Sequence, residues 1–143
     1  MNKDFLKLLA ALVLATIVLA ACGGAPATPA ATPLPTPPAP YAGMTNPLKG
    51  NTDAVSAGKD LFTAQCVSCH GDDAKGDGPA ASALNPKPAN LVEVVPNASD
   101  AFLYWRIAEG GGFAPFNSAM PAHKDTLSQQ QIWQLVTYLQ SLK

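Results

Sequence analysis

The chain has 143 residues, which is enough for one globular domain once segments that do not fold are set aside. Its 9 basic and 10 acidic side chains give a formal net charge of −1 at pH 7. A chain with so little positive charge gives no reason to expect nucleic-acid binding.

The first 21 residues have the order of charge and hydropathy that is typical of a secretory signal peptide. Lys3 and Lys7 precede an apolar run that contains a single threonine. A transmembrane helix needs about 20 apolar residues, and this run is shorter. An uncleaved membrane anchor is the alternative. Its ending, Leu19-Ala20-Ala21-Cys22, resembles the lipobox of bacterial lipoproteins. The resemblance implies cleavage before Cys22, acylation of Cys22 with chains such as palmitate, and a position on the outer face of the cell membrane.

Residues 22–51 are predicted to form a tether between this lipid anchor and a folded domain. Residues 23–40 consist largely of Ala, Pro, Thr and Gly, and bury too little apolar surface to offset the entropy of ordering. Their seven prolines favour polyproline II, so that roughly 3.1 Å per residue over residues 23–41 gives a reach of about 60 Å. Residues 52–143 are expected to fold, and a buried cofactor would add much to so small a core.

Three helices are predicted in the folded part. The first covers about residues 53–65, where Gly58 and Phe62 lie on one side and suggest close approach by another helix. The second covers about residues 99–109 and ends at three consecutive glycines. The third begins after Ser128, which forms a capping box with Gln131 and is preceded by a hydrophobic staple. Its apolar face consists of Ile132, Leu135, Val136, Leu139 and Leu142.

Strands are poorly supported by the sequence, because residues 91–95 are the one short candidate. The intervening segments are rich in glycine and proline. We therefore predict an all-α domain of three to four helices joined by long loops.

The segment Cys66-Val67-Ser68-Cys69-His70 has the attachment signature of haem c. Two thiols at this spacing can reach the two vinyl groups of the porphyrin edge, while the adjacent imidazole turns onto the iron. We therefore predict one covalent haem c, held by thioethers from Cys66 and Cys69 and ligated by His70. A thioredoxin-type site expects a βαβ setting, which is not predicted, and a disulfide would close a strained ring. A structural zinc site would need His123, far along the chain, as its fourth ligand.

Met120 is the candidate for the second axial ligand, because histidine opposite methionine is a common haem ligand pair. Pro121 disfavours a helical conformation at Met120 and so places it on an extended loop. Packing of Met120 in the core is the alternative, and Met44 lies at the end of the tether. His123 competes as a ligand, but we expect it to be exposed beside two charged residues.

About 90 residues of the chain resemble a class I monohaem cytochrome c domain. The matching segments are Gly58-Lys59-Asp60-Leu61-Phe62, Cys66 to Gly71, Gly76-Asp77-Gly78-Pro79, Lys87-Pro88-Ala89-Asn90-Leu91, Trp105-Arg106-Ile107, Ala119-Met120-Pro121-Ala122 and Leu135-Val136-Thr137-Tyr138-Leu139. The resemblance implies the cytochrome c fold, in which the first and last helices cross. It also implies that a proline carbonyl accepts the hydrogen on Nδ1 of His70. Pro88 is the candidate for this carbonyl, with Pro79 as its competitor.

Four further side chains are candidates for the surroundings of the haem. Trp105, Phe113 and Phe116 are expected to pack against it, and Arg106 to pair with a propionate. Burial in the core is the alternative for the aromatic rings, and a solvated position is the alternative for the arginine.

The expected function is single-electron transfer by a membrane-tethered protein that is not itself an enzyme. It would act with redox protein partners, either as a free carrier or as a haem subunit of a respiratory or photosynthetic complex. The lipobox, the proline-rich tether and residues 76–79 resemble the monohaem subunit of alternative complex III, a quinol-oxidising assembly. A haem enzyme or gas sensor is the alternative, but it needs an open iron position, which Met120 would close.

Overall fold

The computed structural model describes residues 33–142, so the predicted signal peptide and Cys22 lie outside the described residues. The described part is helical and contains no strand, which confirms the all-α prediction. None of its helices is long and apolar enough to cross a membrane. The helices are α1 (Thr52–Gln65), α2 (Val67–His70), α3 (Leu91–Val94), α4 (Asp100–Glu109) and α5 (Gln129–Ser141), with 3₁₀ turns at Ala81–Ala83 and Val95–Asn97.

The three long helices begin where the sequence predicts, because each has a side-chain cap. Asn51 accepts a hydrogen bond from the backbone of Ala54 at the start of α1. Ser99 does the same for α4, and Ser128 forms the expected capping box for α5. Gly110 ends α4 with a φ of 69°, a conformation that glycine adopts without strain.

Helices α1 and α5 cross at Gly58 and form the most extensive helix–helix contact of the domain. A Cβ atom at Gly58 would lie 2.1 Å from the carbonyl oxygen of Gln134 and 2.7 Å from the Cβ atom of Tyr138. One turn later, the rings of Phe62 and Tyr138 pack with centroids 5.3 Å apart. The absence of a side chain at Gly58 therefore permits the crossing, and this contact places the end of α1 beside the core.

Residues 91–95, the one candidate strand, form a helical turn instead. The side chain of Asn90 accepts a hydrogen bond from the backbone of Val92 and caps this turn. The backbone of Leu91 also donates to the carbonyl of Ala74, at 2.8 Å. A segment with three valines among its five residues thus becomes helical because its first turn is capped locally and attached to a distant loop.

The tether predicted for residues 22–51 is shorter than expected, because Leu34–Gly50 belongs to the folded unit. We call this segment the strap. Its apolar side chains pack against the hydrophobic core, namely Leu34, Tyr41, Met44 and Leu48. The folded domain therefore begins at Leu34 and not at residue 52.

Asn46 attaches the strap to α4 and α5 through a set of hydrogen bonds. Its side-chain amide donates to Thr137 at 3.0 Å and to Gln140 at 3.1 Å. Its backbone N–H donates to a carboxylate oxygen of Asp100 at 2.8 Å, and Gln140 donates to the other oxygen. Asn46 is only 7 % exposed and its bond to Thr137 is buried, so an unpaired amide at this position would be costly.

Candidate haem site

Cys66, Cys69 and His70 lie on one helical turn that follows α1 directly. The backbone of Cys66 still donates to Phe62 at 2.8 Å, and α2 then begins at Val67. Both thiols are free and partly buried, so the strained disulfide is not formed. Burial, with a smaller contribution from Cys69, raises the pKa of the Cys66 thiol to about 11. The turn therefore presents two thiols and an imidazole side by side.

The ring of His70 is oriented by a backbone carbonyl. Its Nδ1 lies 3.3 Å from the oxygen of Ala89. A carbonyl only accepts, so Nδ1 carries the hydrogen and Nε2 keeps the lone pair that a metal needs. Burial lowers the pKa of His70, and the bond to Ala89 offsets only part of this effect. The neutral imidazole, which is the metal-binding form, is thus favoured at neutral pH.

The carbonyl partner of His70 differs from the predicted one. Pro88 was expected, but its oxygen lies against Gly76, where an added Cβ atom would be 2.3 Å away. The following carbonyl, that of Ala89, reaches His70 instead. Pro79, the competitor, follows Gly78, which packs against the backbone of residues 67–69. The path of the loop therefore selects the carbonyl of Ala89 over that of Pro88.

The three predicted aromatic side chains come together around Trp105 of α4. The ring of Trp105 lies 5.6 Å from that of Phe113 and 5.5 Å from that of Phe116, measured between centroids. The sequence prediction missed Phe102, whose ring lies 6.1 Å from that of Trp105. Its spacing of three residues from Trp105 on α4 was the available signal. These four rings form an apolar wall that Phe113 and Phe116, being only partly buried, extend to the surface.

Arg106 lies between this wall and Met120. One guanidinium nitrogen is 3.9 Å from the sulfur of Met120, and the guanidinium carbon is 3.5 Å from the ring centroid of Phe116. The side chain also donates to the carbonyl of Gly110. Burial lowers the pKa of Arg106, and within residues 33–142 no carboxylate pairs with it. Its charge is therefore available to an acidic group such as a propionate.

Met120 lies outside the helices, on a loop that is attached to the end of α4. Gly111 donates to the carbonyl of Met120 at 2.9 Å, and Ser118 donates to the carbonyl of Gly111 at 2.7 Å. Farther along, the backbone N–H of His123 lies 3.1 Å from the carbonyl oxygens of both Ile107 and Ala108. We call residues 110–124 the Met120 loop. These bonds fix the backbone on both sides of the thioether.

His123, which we expected to be exposed, is only 9 % exposed. Its backbone bonds to the last turn of α4 draw it into the domain, and burial lowers the pKa of its imidazole. Among residues 33–142, no group of three or more His, Cys, Asp or Glu side chains is arranged to hold a metal ion. The zinc alternative for Cys66, Cys69 and His70 thus lacks its further ligand.

The residues present fit a covalent haem in their chemistry. Two neighbouring thiols, an imidazole with a free Nε2, a thioether on a fixed loop and an aromatic wall are the groups that such a cofactor requires. An arginine without a carboxylate partner in the described chain supplies the counter-charge for a propionate.

Comparison with known proteins agrees with this fit. A family model described as cytochrome c matches residues 55–143. The cytochrome c-554(547) of Halothiobacillus neapolitanus is 31% identical over 91 residues, which make up 62% of this chain and 97% of that protein.

Two solved structures resemble the chain. One is a chain of the reducing HAO-like protein complex of Kuenenia stuttgartiensis, with a TM-score of 0.54 and 26% identity over 67% of this chain. The other is cytochrome cL of Methylophaga aminisulfidivorans, with a TM-score of 0.52 and 24% identity over 68% of this chain. The chain spans only 46% and 60% of these two proteins, respectively, and the second likeness shows the fold alone.

Proposed function

Since the chain belongs to the cytochrome c family, whose members transfer electrons, we propose that it does so through a single haem c. Cys66 and Cys69 hold this haem by thioethers, and His70 and Met120 are its axial ligands. The observation that carries the proposal is His70, whose Nδ1 faces the carbonyl of Ala89, so that Nε2 is left for iron. When bound, the haem supplies a one-electron couple.

The surrounding residues each have a separate task in this proposal. Ala89 fixes the ring of His70, and the Met120 loop holds the thioether. Trp105 and its aromatic neighbours exclude water from the porphyrin face. Arg106 would pair with a propionate, and its positive charge would favour the reduced state of the haem. These roles hold and shield a haem, and they are the roles that electron transfer needs.

The covalent attachment predicts that acid–acetone extraction leaves the haem on the polypeptide. A pyridine haemochrome assay should then give one haem per chain. Replacing both Cys66 and Cys69 by alanine removes the two thiols and should release the pigment into the solvent or prevent its incorporation. Extraction of the haem from the parent protein would contradict the proposal, and so would a second haem.

We also propose that the domain is attached to the outer face of the cell membrane through lipid on Cys22. Cytochrome c domains are typically extracytoplasmic, and the sequence around Cys22 resembles a lipobox. One acyl chain binds membranes only marginally, so several chains would be needed. Because the strap belongs to the domain, only the eleven residues 23–33 remain as tether. At roughly 3.1 Å per residue this tether reaches about 34 Å, whereas the longer tether predicted from the sequence would reach about 60 Å.

The short tether favours a fixed haem subunit of a membrane complex, such as alternative complex III, over a free carrier. Removal of residues 1–21 leaves 7 basic and 9 acidic side chains, a charge of about −2. Steering of a diffusing carrier usually needs a stronger patch of one sign. A similar structure also belongs to a chain of a complex, the reducing HAO-like complex of Kuenenia stuttgartiensis.

Deletion of residues 24–31 separates these two roles. A fixed subunit should co-purify with its complex in stoichiometric amounts, and turnover should fall little. A carrier should instead lose turnover gradually across a series of deletions of increasing length, because each longer deletion reduces the reach of the haem domain. Cys22→Ser should release a carrier from the membrane fraction, whereas a fixed subunit should stay with its complex. Mass spectrometry of the parent protein that shows an unmodified Cys22 would contradict lipid attachment.

A haem enzyme or gas sensor is the second candidate function. This candidate is supported by one of the similar structures, which is a chain of the reducing HAO-like protein complex. Chemistry on a gas or a peroxide needs an open iron position, which distinguishes this candidate from a site closed by Met120.

A further inference from the structure

Glu109, the last residue of α4, joins two segments that are distant in the sequence. Its Oε1 accepts a hydrogen bond from the hydroxyl of Tyr41, which lies on the strap. Its Oε2 accepts one from Nζ of Lys124 at 2.8 Å, at the end of the Met120 loop. One carboxylate therefore connects the strap to the loop that carries Met120.

The position of Glu109 makes this connection relevant to Met120. The adjoining Gly110 and Gly111 contact the backbone of Met120, where Gly111 donates to its carbonyl. The backbone of Lys124 donates to the carbonyl of Ala108 at 3.1 Å. The loop thus leaves and rejoins the end of α4 at neighbouring residues, and the side chains of Lys124 and Glu109 bridge the two ends.

The strap presents the hydroxyl of Tyr41 from a fixed position. The ring of Tyr41 lies 6.1 Å from that of Tyr104, between centroids, and Asn46 attaches the same segment to α4 and α5. Hydrogen bonds from Lys124 and Tyr41 lower the pKa of Glu109. Burial and Glu109 raise the pKa of Tyr41 to about 12. At neutral pH a phenol therefore donates to a carboxylate, a charge-assisted bond that is stronger than a neutral one.

We propose that Tyr41, Glu109 and Lys124 form a brace through which the strap holds the Met120 loop closed. Glu109 is then a positioning residue for the axial ligand. An exposed lysine–glutamate pair alone contributes little, because solvent screens it. The additional bond from Tyr41 attaches the pair to a packed segment, so that opening of the loop must also displace Glu109. This inference rests on the proposed ligation of iron by Met120.

The rate at which an external ligand reaches the iron measures opening of the loop. Carbon monoxide can bind to the ferrous protein only when the thioether of Met120 leaves. Tyr41→Phe removes the hydroxyl and keeps the ring, and Glu109→Gln removes the charge. Each variant should bind carbon monoxide about threefold to tenfold faster than the parent protein. Lys124→Met should accelerate carbon monoxide binding less than these two variants do. Lys124→Arg keeps the positive charge and should bind carbon monoxide at the parent rate.

Two control variants separate this role from a general loss of stability. Lys75→Met removes an exposed ion pair with Asp73 and should leave the rate unchanged. Asn51→Ala removes the cap of α1 and should lower the melting temperature without faster binding. Parent rates in both Tyr41→Phe and Glu109→Gln would overturn the brace. Equal acceleration in Asn51→Ala would also overturn it, since loosening would then be general.

Failure of the brace can be distinguished from failure of the ligation. A parent protein that already binds carbon monoxide as fast as Met120→Ala contradicts ligation by Met120. If the parent protein and the brace variants all bind carbon monoxide slowly and at the same rate, the brace is contradicted and ligation by Met120 is not.

Discussion

Replacing Met120 by alanine should open the iron site to carbon monoxide and lower the reduction potential by roughly 0.1 V or more. A thioether opposite histidine raises the potential of haem iron, so its loss favours the oxidised state. The loop is attached to α4 through backbone atoms of Gly111 and His123, and these bonds do not depend on the side chain of Met120. The variant should therefore keep its fold. Optical spectra with and without carbon monoxide, together with a redox titration, measure both effects.

His123→Ala is the matched control for this substitution. His123 is the competing ligand, but its backbone is bonded to the end of α4 and its side chain is buried. We expect a loss of stability from this variant and no change in the haem spectrum. A parent protein that binds carbon monoxide readily would show that Met120 is not the ligand. A spectral change in His123→Ala, with none in Met120→Ala, would assign the ligand to His123.

Gly58→Ala should destabilise the domain by about 3 kcal/mol or more, although alanine is the better helix former. The new Cβ atom would lie 2.1 Å from the carbonyl oxygen of Gln134 and 2.6 Å from its carbonyl carbon. Because both are backbone atoms, no change of side-chain rotamer relieves the overlap, and α1 must move away from α5. Denaturant unfolding of the haem-loaded protein measures the loss.

Gly112→Ala provides the control for a change from glycine to alanine. No atom lies within 4 Å of a Cβ atom at Gly112, and its φ is outside the left-handed region. The free energy of unfolding should therefore change by no more than about 0.5 kcal/mol. Equal stability of Gly58→Ala and the parent protein would show that α1 and α5 do not approach as closely as described.

The helix starts and the attachment signature could be predicted because the residues that determine them are neighbours in the chain. Ser128 and Gln131 are three residues apart, and their reciprocal hydrogen bonds form whatever the rest of the domain does. Cys66, Cys69 and His70 share one helical turn for the same reason. The pairing of Gly58 with a distant helix was suggested by the resemblance, but its partner atoms were not.

The strap could not be predicted from composition. Residues 34–50 are rich in proline and contain few large apolar side chains, which indicates a tether. Leu34, Tyr41, Met44 and Leu48 nevertheless find places on the core, and Asn46 finds partners more than 50 residues away in the sequence. Composition measures how much apolar surface a segment has, whereas a few well-placed contacts determine whether it is held.

In the candidate site, too, local sequence features and tertiary contacts determine different things. The sequence by itself indicated the attachment motif, and it made Met120 and three of the four aromatic rings candidates for the site, because residue type and local spacing carry that information. Only the tertiary structure selected Ala89 over Pro88, buried His123 and brought Tyr41 to Glu109. Each of these depends on the path of a loop between distant elements. Such a path is determined by which backbone and side-chain groups can be packed and hydrogen-bonded at the same time, and no local pattern records that choice.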